Sequence, residues 1–244
     1  MLINTARSSE SLLKLRLWFY GLADLHLIIV GGYLLSIDMS KDENPAVREY
    51  MYTRWRLITI WFNLISLFYF PICFYCDWKE LKGQWDQPRV RILRQIKDVV
   101  MTSILLPTTL YSDYLFWRVW NKDPGLIGPV AVFVYLPTWA HHSLHTVSAV
   151  VITMDLLLVP RQRPESLLPG LALSTAFVSA YTIMVTYNYM HGIAVYSILN
   201  IFNTPKKVLL IILAYIEHYF FYTVQWWVLD WARGDLHHAK EKIY

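Results

Sequence analysis

Charged side chains are scarce in this chain of 244 residues. They make up 16% of it, against about a quarter of a typical soluble domain, and 56% of the residues are hydrophobic. The formal net charge is only +4, and no long basic run occurs, so nothing indicates a nucleic-acid-binding surface. With two cysteines the chain cannot build a disulfide framework. These shortages exclude an ordinary soluble domain and a disulfide-stapled secreted one.

Several sequence patterns of other protein classes are also missing. There is no phosphate-binding glycine loop and no pair of carboxylates at glycosidase-like spacing. There is no internal repeat or low-complexity stretch. The missing repeat counts against a lipid or small-solute transporter built from repeated halves, although that reading stays open.

Long apolar segments are what the chain does contain. Stretches of roughly 20 apolar residues recur, the length at which a helix crosses a bilayer. Eleven Trp and seventeen Tyr fit the aromatic belts of membrane interfaces. We predict an all-α, polytopic membrane helix bundle, folded as a single integral domain over residues 1–244. Its expected spans, about six, are 17–37, 57–76, 98–118, 138–159, 168–190 and 207–231. The apolar segment 126–135 is short and is expected to be interfacial or half-inserted.

The distribution of Lys and Arg predicts the orientation. With six spans they are more numerous on the side that holds both tails and the second and fourth connections, which places both termini in the cytosol. Lys240 and Lys242 stand fifth and third from the end and resemble a dilysine retrieval signal. We therefore expect a multi-pass protein of the endoplasmic reticulum, with the plasma membrane as the alternative.

Polar residues inside the predicted spans mark a possible site, because burying them in lipid is costly. Most are expected in the non-cytosolic half, where Thr59 begins span two and His145 lies two turns into span four. A hydroxyl and an imidazole are a candidate nucleophile and base. The other polar residues expected near them are Asp113, His141, His142, Asn188, His191 and Glu217. Asp24, His26 and Asp155 are the expected exceptions to this distribution.

Other interpretations of these residues remain open. Each polar group taken singly is more typical of an interhelical hydrogen bond, and a membrane Thr usually bonds a carbonyl of its own helix. Clustered histidines also occur in metal-dependent lipid oxidases, but only eight His are present and no second His box accompanies His141, His142 and His145. Cys73 and Cys76 form a C-x-x-C pattern that packing explains better than redox chemistry.

Two motifs carry a resemblance to a known family. Trp55-Arg56-Leu57-Ile58-Thr59 is similar to its Trp-Lys-aromatic-Leu-Thr motif, and Pro137-Thr138-Trp139 with His142 and His145-Thr146 is similar to its Pro-x-Trp-x-x-His-x-x-His-Thr motif. A weaker third element runs from Gly192 to Val195-Tyr196. The family is the androgen-induced and androgen-dependent transmembrane proteins, which are threonine hydrolases of fatty acid esters of hydroxy fatty acids. Ser197, His141 and Phe62 depart from the pattern, which bears on substrate preference more than on chemistry.

The resemblance implies a catalytic Thr59 and His145, with no metal and no cofactor. It implies as partners the lipid bilayer and a lipid ester with long acyl chains, and no nucleic acid. The residues expected to bind substrate or support the pair are Trp55, Asn63, Asp113, Trp139, His141, His142, Asn188, His191 and Glu217. Asp113 and Glu217 are the two candidates to orient His145.

Overall fold

A computed structural model describes the backbone of residues 7–241 and the side chains of residues 7–232. This part of the chain is helical and contains no strand. The α-helices are α1 (Glu10–Ser36), α2 (Pro45–Thr53), α3 (Ile58–Leu81), α4 (Pro88–Val100), α5 (Leu106–Trp120), α6 (Thr138–His142), α7 (Ser148–Leu158), α8 (Leu168–Met190), α9 (Ile198–Ile201) and α10 (Thr204–Glu241). The all-α prediction is confirmed. Lys242 and the side chains of His237, His238 and Lys240 lie outside these residues.

Local sequence sets the helix ends. The Ser9 hydroxyl accepts a hydrogen bond from the Leu12 N–H and caps α1. Asn44 caps α2 in the same way, with a proline at the first helical position. Gly83 and Gly192 follow the ends of α3 and α8 with φ of 70° and 80°, a backbone conformation that glycine adopts without strain.

Four helices are long and apolar enough to cross a membrane, namely α1, α3, α8 and residues Thr204–Ala232 of α10. Only 17% of the apolar window of α1, α8 or α10 is buried, so their hydrophobic side chains face outward. On α1 the exposed residues include Leu22, Leu25, Ile28 and Ile29. Apolar exteriors of this size suit a lipid environment rather than water.

Four such helices are fewer than the six or so spans that the sequence predicts. The two missing spans are each interrupted by a π-helical segment: π1 (Met101–Leu105) joins α4 to α5, and π2 (Ser143–Val147) joins α6 to α7. No uninterrupted α-helix there is long enough to be counted. The count of six therefore stays a prediction. Segment 126–135 forms no long helix; it begins at the end of a short 3₁₀ helix, Pro124–Leu126, and contains a second, Val130–Val134.

One proline accounts for π1. Pro107 has no backbone N–H to donate to the preceding turn, which leaves a carbonyl of π1 available. The Gln225 side-chain amide of α10 donates to the Thr102 carbonyl at 2.8 Å. The interruption thus ties α10 to the broken helix and satisfies a backbone group that lipid would leave without a partner.

A network of buried charges corrects the expected distribution of polar residues. Arg161, fully buried, donates to Asp98 at 2.9 Å and to Asp155 at 2.8 Å. Asp155 also accepts from the hydroxyls of Tyr20 at 2.6 Å and Tyr69 at 3.0 Å. Arg16 and Asp77 form a second buried ion pair, between α1 and α3. Buried polar residues therefore also occur at the end of the bundle that the sequence predicts to be cytosolic.

The reason lies in the helix boundaries. α3 continues to Leu81, five residues past the predicted end at 76, and α4 starts at Pro88, ten residues before the predicted start at 98. Asp77 and Lys97, expected in a connection, consequently lie inside the bundle with 2% and 3% of their surface exposed. Buried charges of opposite sign must pair to offset their desolvation. This network locks one end of the bundle.

Candidate active site

A cavity of about 520 Å³ opens between α1, α3, α5, α8, α10 and π2. Its size falls within the range of small-molecule sites, and its walls are mostly aliphatic and aromatic. None of the charged residues of the network at the other end of the bundle lines it. The cavity is bordered by Thr59, Asn63, His141, His145 and the exposed Trp55.

Thr59 occupies the first turn of α3. It is the second residue of the helix and 8% of its surface is exposed. Within residues 7–241 its hydroxyl makes no hydrogen bond, whereas Thr102 and Thr223 each donate to the carbonyl four residues earlier. Unlike a typical membrane threonine, Thr59 therefore does not bond a carbonyl of its own helix through its hydroxyl. The Thr59 hydroxyl is left available to a molecule in the cavity.

Within the part of the chain that the structure describes, the start of α3 also leaves a backbone N–H group without a hydrogen-bond partner at Thr59. α3 has no side-chain cap, and the N–H groups of Leu57 and Ile60 bond carbonyls three residues earlier. Among the described residues the Thr59 N–H has no partner. The first N–H groups of a helix are unpaired by its geometry, and the helix dipole makes this end partially positive. A donor thus stands beside the Thr59 hydroxyl.

Two tyrosine hydroxyls form hydrogen bonds to the backbone at this turn. Tyr181 belongs to α8, and Tyr196 lies in the segment after it. The Tyr196 hydroxyl accepts from the Ile58 N–H at 3.1 Å, and the Tyr181 hydroxyl donates to the Arg56 carbonyl at 3.1 Å. The two hydroxyls lie 2.7 Å apart. Tyr196 ends the weak third motif, and Gly192 provides the reversal after α8 that brings it here. The motif therefore fixes the backbone next to Thr59.

His145 forms a buried pair with Asp113. Its Nδ1 lies 3.0 Å from Oδ1 of Asp113, and 7% of the histidine and 2% of the aspartate are exposed. The Ser148 hydroxyl lies 2.6 Å from the second carboxylate oxygen. A carboxylate at Nδ1 favours the tautomer with its proton there, and Nε2 has no partner among the described residues. Nε2 is consequently the nitrogen that can accept a proton.

Packing and the π-helical segment hold the imidazole in place. Phe116 stacks on the His145 ring with centroids 3.6 Å apart and an interplanar angle of 5°. Trp117 donates its indole N–H to the His145 carbonyl at 3.3 Å. That carbonyl lies within π2, where the helical hydrogen-bond pattern is altered. π-helical turns often occur at functional sites, since they re-aim side chains.

His141 and Asn63 complete the polar lining near the pair. The His141 ring packs on Trp120 with centroids 4.4 Å apart, and its buried Nε2 has no hydrogen-bond partner among the described residues. The Asn63 amide donates to the Thr59 carbonyl at 2.8 Å. Thr59 and His145 border the same cavity, and no hydrogen bond joins them directly within the described part of the chain. Catalytic hydrogen bonds commonly tighten on substrate binding.

Five predicted site residues lie away from the cavity. His142 is exposed and bonds the Thr146 hydroxyl. Trp139 is 47% exposed and packs on Tyr33. Glu217 pairs with Arg118 at 3.5 Å, which leaves Asp113 as the partner of His145. The remaining two, Asn188 and His191, bond backbone carbonyls at the end of α8.

The arrangement does not assemble a metal-binding ligand set within the described residues. No group of three or more His, Cys, Asp or Glu there has the geometry to hold a metal ion. Cys73 and Cys76 are free thiols buried in the core, away from the cavity. The ligands that a His-box oxidase would need are thus not brought together in this part of the chain.

Sequence reasoning overlooked two kinds of supporting residue. Ser148 lies three residues beyond His145, and that spacing on a helix was a usable signal for a group near the same carboxylate. Tyr181 carries no motif and is recognisable only from the fold, because it reaches Arg56 across 125 positions of sequence.

Comparisons with known proteins agree with the membrane architecture. The family model described as FAR-17a/AIG1-like protein matches residues 22–228. The chain is 23% identical to the human androgen-dependent TFPI-regulating protein, over 89% of this chain and 95% of the relative. It is 24% identical to the Mesocricetus auratus protein of the same name, over 80% and 84% of the two chains.

A second kind of relative also matches. The chain is 24% identical to the human androgen-induced gene 1 protein, over 60% of this chain and 63% of that protein. The matched residues of the family model include Thr59, Asp113, His145 and Tyr196. No solved structure matches the chain.

Proposed function

Because the chain belongs to the FAR-17a/AIG1-like protein family, we propose that it is a membrane-embedded threonine hydrolase that cleaves fatty acid esters of hydroxy fatty acids. Thr59 is the nucleophile, His145 the general base, and Asp113 the residue that orients the base. The observation that carries the proposal is the buried Asp113–His145 pair beside an apolar cavity that Thr59 also borders. A hydroxyl alone is a weak nucleophile near neutral pH, so such a base is required.

The acylation step follows from this geometry. The Thr59 Oγ1 attacks the ester carbonyl while Nε2 of His145 takes the hydroxyl proton, and the Nδ1–H stays bonded to Asp113. The carbonyl oxygen becomes an oxyanion, which the free Thr59 N–H at the positive end of α3 stabilises. Collapse of this intermediate breaks the bond to the hydroxy fatty acid. Its alkoxide leaves with the proton from His145, and the acyl group stays on Thr59.

Water completes the cycle. His145 removes a proton from a water molecule, the resulting hydroxide attacks the acyl-threonine, and Thr59 recovers its proton as the fatty acid is released. The apolar walls of the cavity fit the acyl chain, and the exposed mouth at Trp55 gives access to lipid and water. We place the protein in the endoplasmic reticulum membrane with both termini in the cytosol, so that the cavity opens on the other side.

The experiment that tests this function replaces the nucleophile. Thr59→Ala should abolish hydrolysis of a branched fatty acid ester in proteoliposomes, and Thr59→Ser should keep part of it because the hydroxyl remains. Thr182→Ala is the matched control, since Thr182 borders the same cavity but belongs to α8. Full hydrolysis by Thr59→Ala, or equal losses in the two alanine variants, would reject Thr59 as nucleophile.

A further inference from the structure

The cavity contains cationic side chains and no acidic ones. Within the described chain, Arg54 and Lys207 line it, and no Asp or Glu does. Neither cation forms an ion pair with a carboxylate of residues 7–232. An unpaired cation beside apolar walls is costly unless an anion completes it. The cavity is therefore suited to an amphiphile that carries a negative charge.

Arg54 is already engaged with the protein. Its Nη1 donates to the Leu34 carbonyl at 3.1 Å and lies 3.5 Å from the Ile37 carbonyl, at the end of α1. These are the last carbonyls of the helix, which lack partners within it. Arg54 thus serves as a cap for α1, and its guanidinium is fixed there.

Lys207 keeps most of its donors available. It is half-buried in the first turn of α10, and its ammonium bonds the Tyr189 hydroxyl, with the nitrogen 4.1 Å from the ring centroid. An ammonium has three donors, so two of them have no partner among the described residues. The adjacent Lys206 is exposed and does not line the cavity, as expected of an interfacial lysine that extends toward water. Lys207 is turned inward instead.

The position of Lys207 relative to Thr59 follows from α8. Tyr181 meets the chain just before α3, and Tyr189, the partner of Lys207, comes eight residues later on the same helix. At the helical rise, eight residues correspond to roughly 12 Å along the axis. The cavity walls along this stretch are mostly apolar, with Val185, Leu210 and Ile211 among them, and they also carry the hydroxyls of Thr182 and Thr186. A methylene chain fits this stretch better than a polar linker.

We infer that Lys207, together with the Tyr189 hydroxyl, binds the free carboxylate of the substrate while its ester group lies at Thr59. The inference rests on the proposed function for the ester position, but the binding of the carboxylate does not depend on hydrolysis. Lys207 then determines specificity in two ways. It selects a free acid over a neutral derivative, and it selects esters separated from the carboxylate by a long methylene chain over esters adjacent to it.

Binding of a fluorescent long-chain fatty acid to the full chain in phosphatidylcholine nanodiscs tests the anchor. The wild type should bind the acid roughly 10- to 100-fold more tightly than its terminal carboxamide, the range of a hydrogen bond to a charged group. Lys207→Gln should remove this preference, and Lys207→Arg should restore most of it. Lys206→Gln is the matched control, with the same charge change one residue away, and should keep the preference.

Equal binding of acid and carboxamide by the wild type would overturn the anchor. So would a preference that survives in Lys207→Gln, or one that is lost equally in Lys206→Gln. Loss of the preference when phosphatidylglycerol replaces phosphatidylcholine would assign Lys207 to lipid headgroups and would also overturn it. An unchanged melting temperature in Lys207→Gln shows that the variant is folded.

Hydrolysis rates provide a second, independent test of the carboxylate anchor. The wild type should cleave a mid-chain ester of a hydroxy fatty acid faster than its 2-acyloxy isomer, and Lys207→Gln should narrow that difference. If binding behaves as expected and no ester is cleaved, the proposed function fails and the anchor stands. If esters are cleaved in a Thr59-dependent way without a carboxylate preference, the anchor fails and the proposed function stands.

Discussion

Replacing Asp113 by Asn should weaken the proposed base, and the contacts around Asp113 determine how much activity is lost. Asp113 accepts from His145 with one oxygen and from Ser148 with the other. An asparagine can keep its oxygen on the Nδ1–H of His145 and turn its NH₂ to Ser148. The Ser148 hydroxyl then donates instead to the Leu144 carbonyl, 2.7 Å away. The tautomer of His145 is preserved, and only the negative charge is lost.

The expected magnitude follows from that difference. A hydrogen bond to a charged group contributes about 1.5–3 kcal/mol and a neutral one about 0.5–1.5 kcal/mol. The loss of about 1–1.5 kcal/mol corresponds to a roughly tenfold lower kcat/KM. Adding Ser148→Ala removes the group that orients the amide, so its NH₂ can face His145 and impose the other tautomer. The kcat/KM of the double variant should then fall by up to ~10⁴-fold, as in a catalytic triad whose histidine is held in the wrong tautomer.

Steady-state hydrolysis by purified variants in proteoliposomes measures these effects. Glu217→Gln is the matched control, because Glu217 pairs with Arg118 and not with His145. It should remain close to wild type. The reasoning would be refuted if Asp113→Asn retained full activity, or if Glu217→Gln were as damaging as Asp113→Asn.

Further predictions concern the proposed base His145, the Tyr196 hydroxyl at the start of α3, and the buried charge network around Arg161. His145→Ala should lower kcat/KM by roughly 10²–10⁴ or more, and His141→Ala much less; equal losses would contradict the assignment of the base. Tyr196→Phe should remove the acceptor of the first N–H of α3, lower the stability by about 1–3 kcal/mol and reduce kcat, as thermal unfolding and initial rates will show. Asp155→Ala should destabilise the fold by about 3–5 kcal/mol because it leaves Arg161 buried with fewer partners, and an unchanged melting temperature would contradict the role of the network.

The sequence predicts the membrane class and singles out the two residues of the proposed catalytic pair. Composition and hydrophobic segments predict a polytopic helix bundle, and two motifs single out Thr59 and His145. The choice between Asp113 and Glu217 was not accessible in this way. Both lie in apolar spans, and which of them faces His145 depends on helix rotation and packing, for which a single sequence has no signal.

Other features depended on contacts distant in sequence. Arg161 lies between predicted spans and would be expected to be solvated, yet it is buried between carboxylates from α4 and α7. The interruption π2 leaves no mark in the hydrophobic pattern, although it contains His145. Lys207 is indistinguishable from Lys206 by residue type, and only the fold turns one of them inward.

The most direct test of the proposed chemistry is to locate the covalent adduct of a fluorophosphonate probe by mass spectrometry of the labelled, digested protein. Such a probe traps a hydroxyl activated by a base and leaves an adduct on its oxygen. The account predicts an adduct on Thr59 that is absent from Thr59→Ala and strongly reduced in His145→Ala. An adduct on another residue such as Ser143, or labelling that persists in both variants, would contradict it.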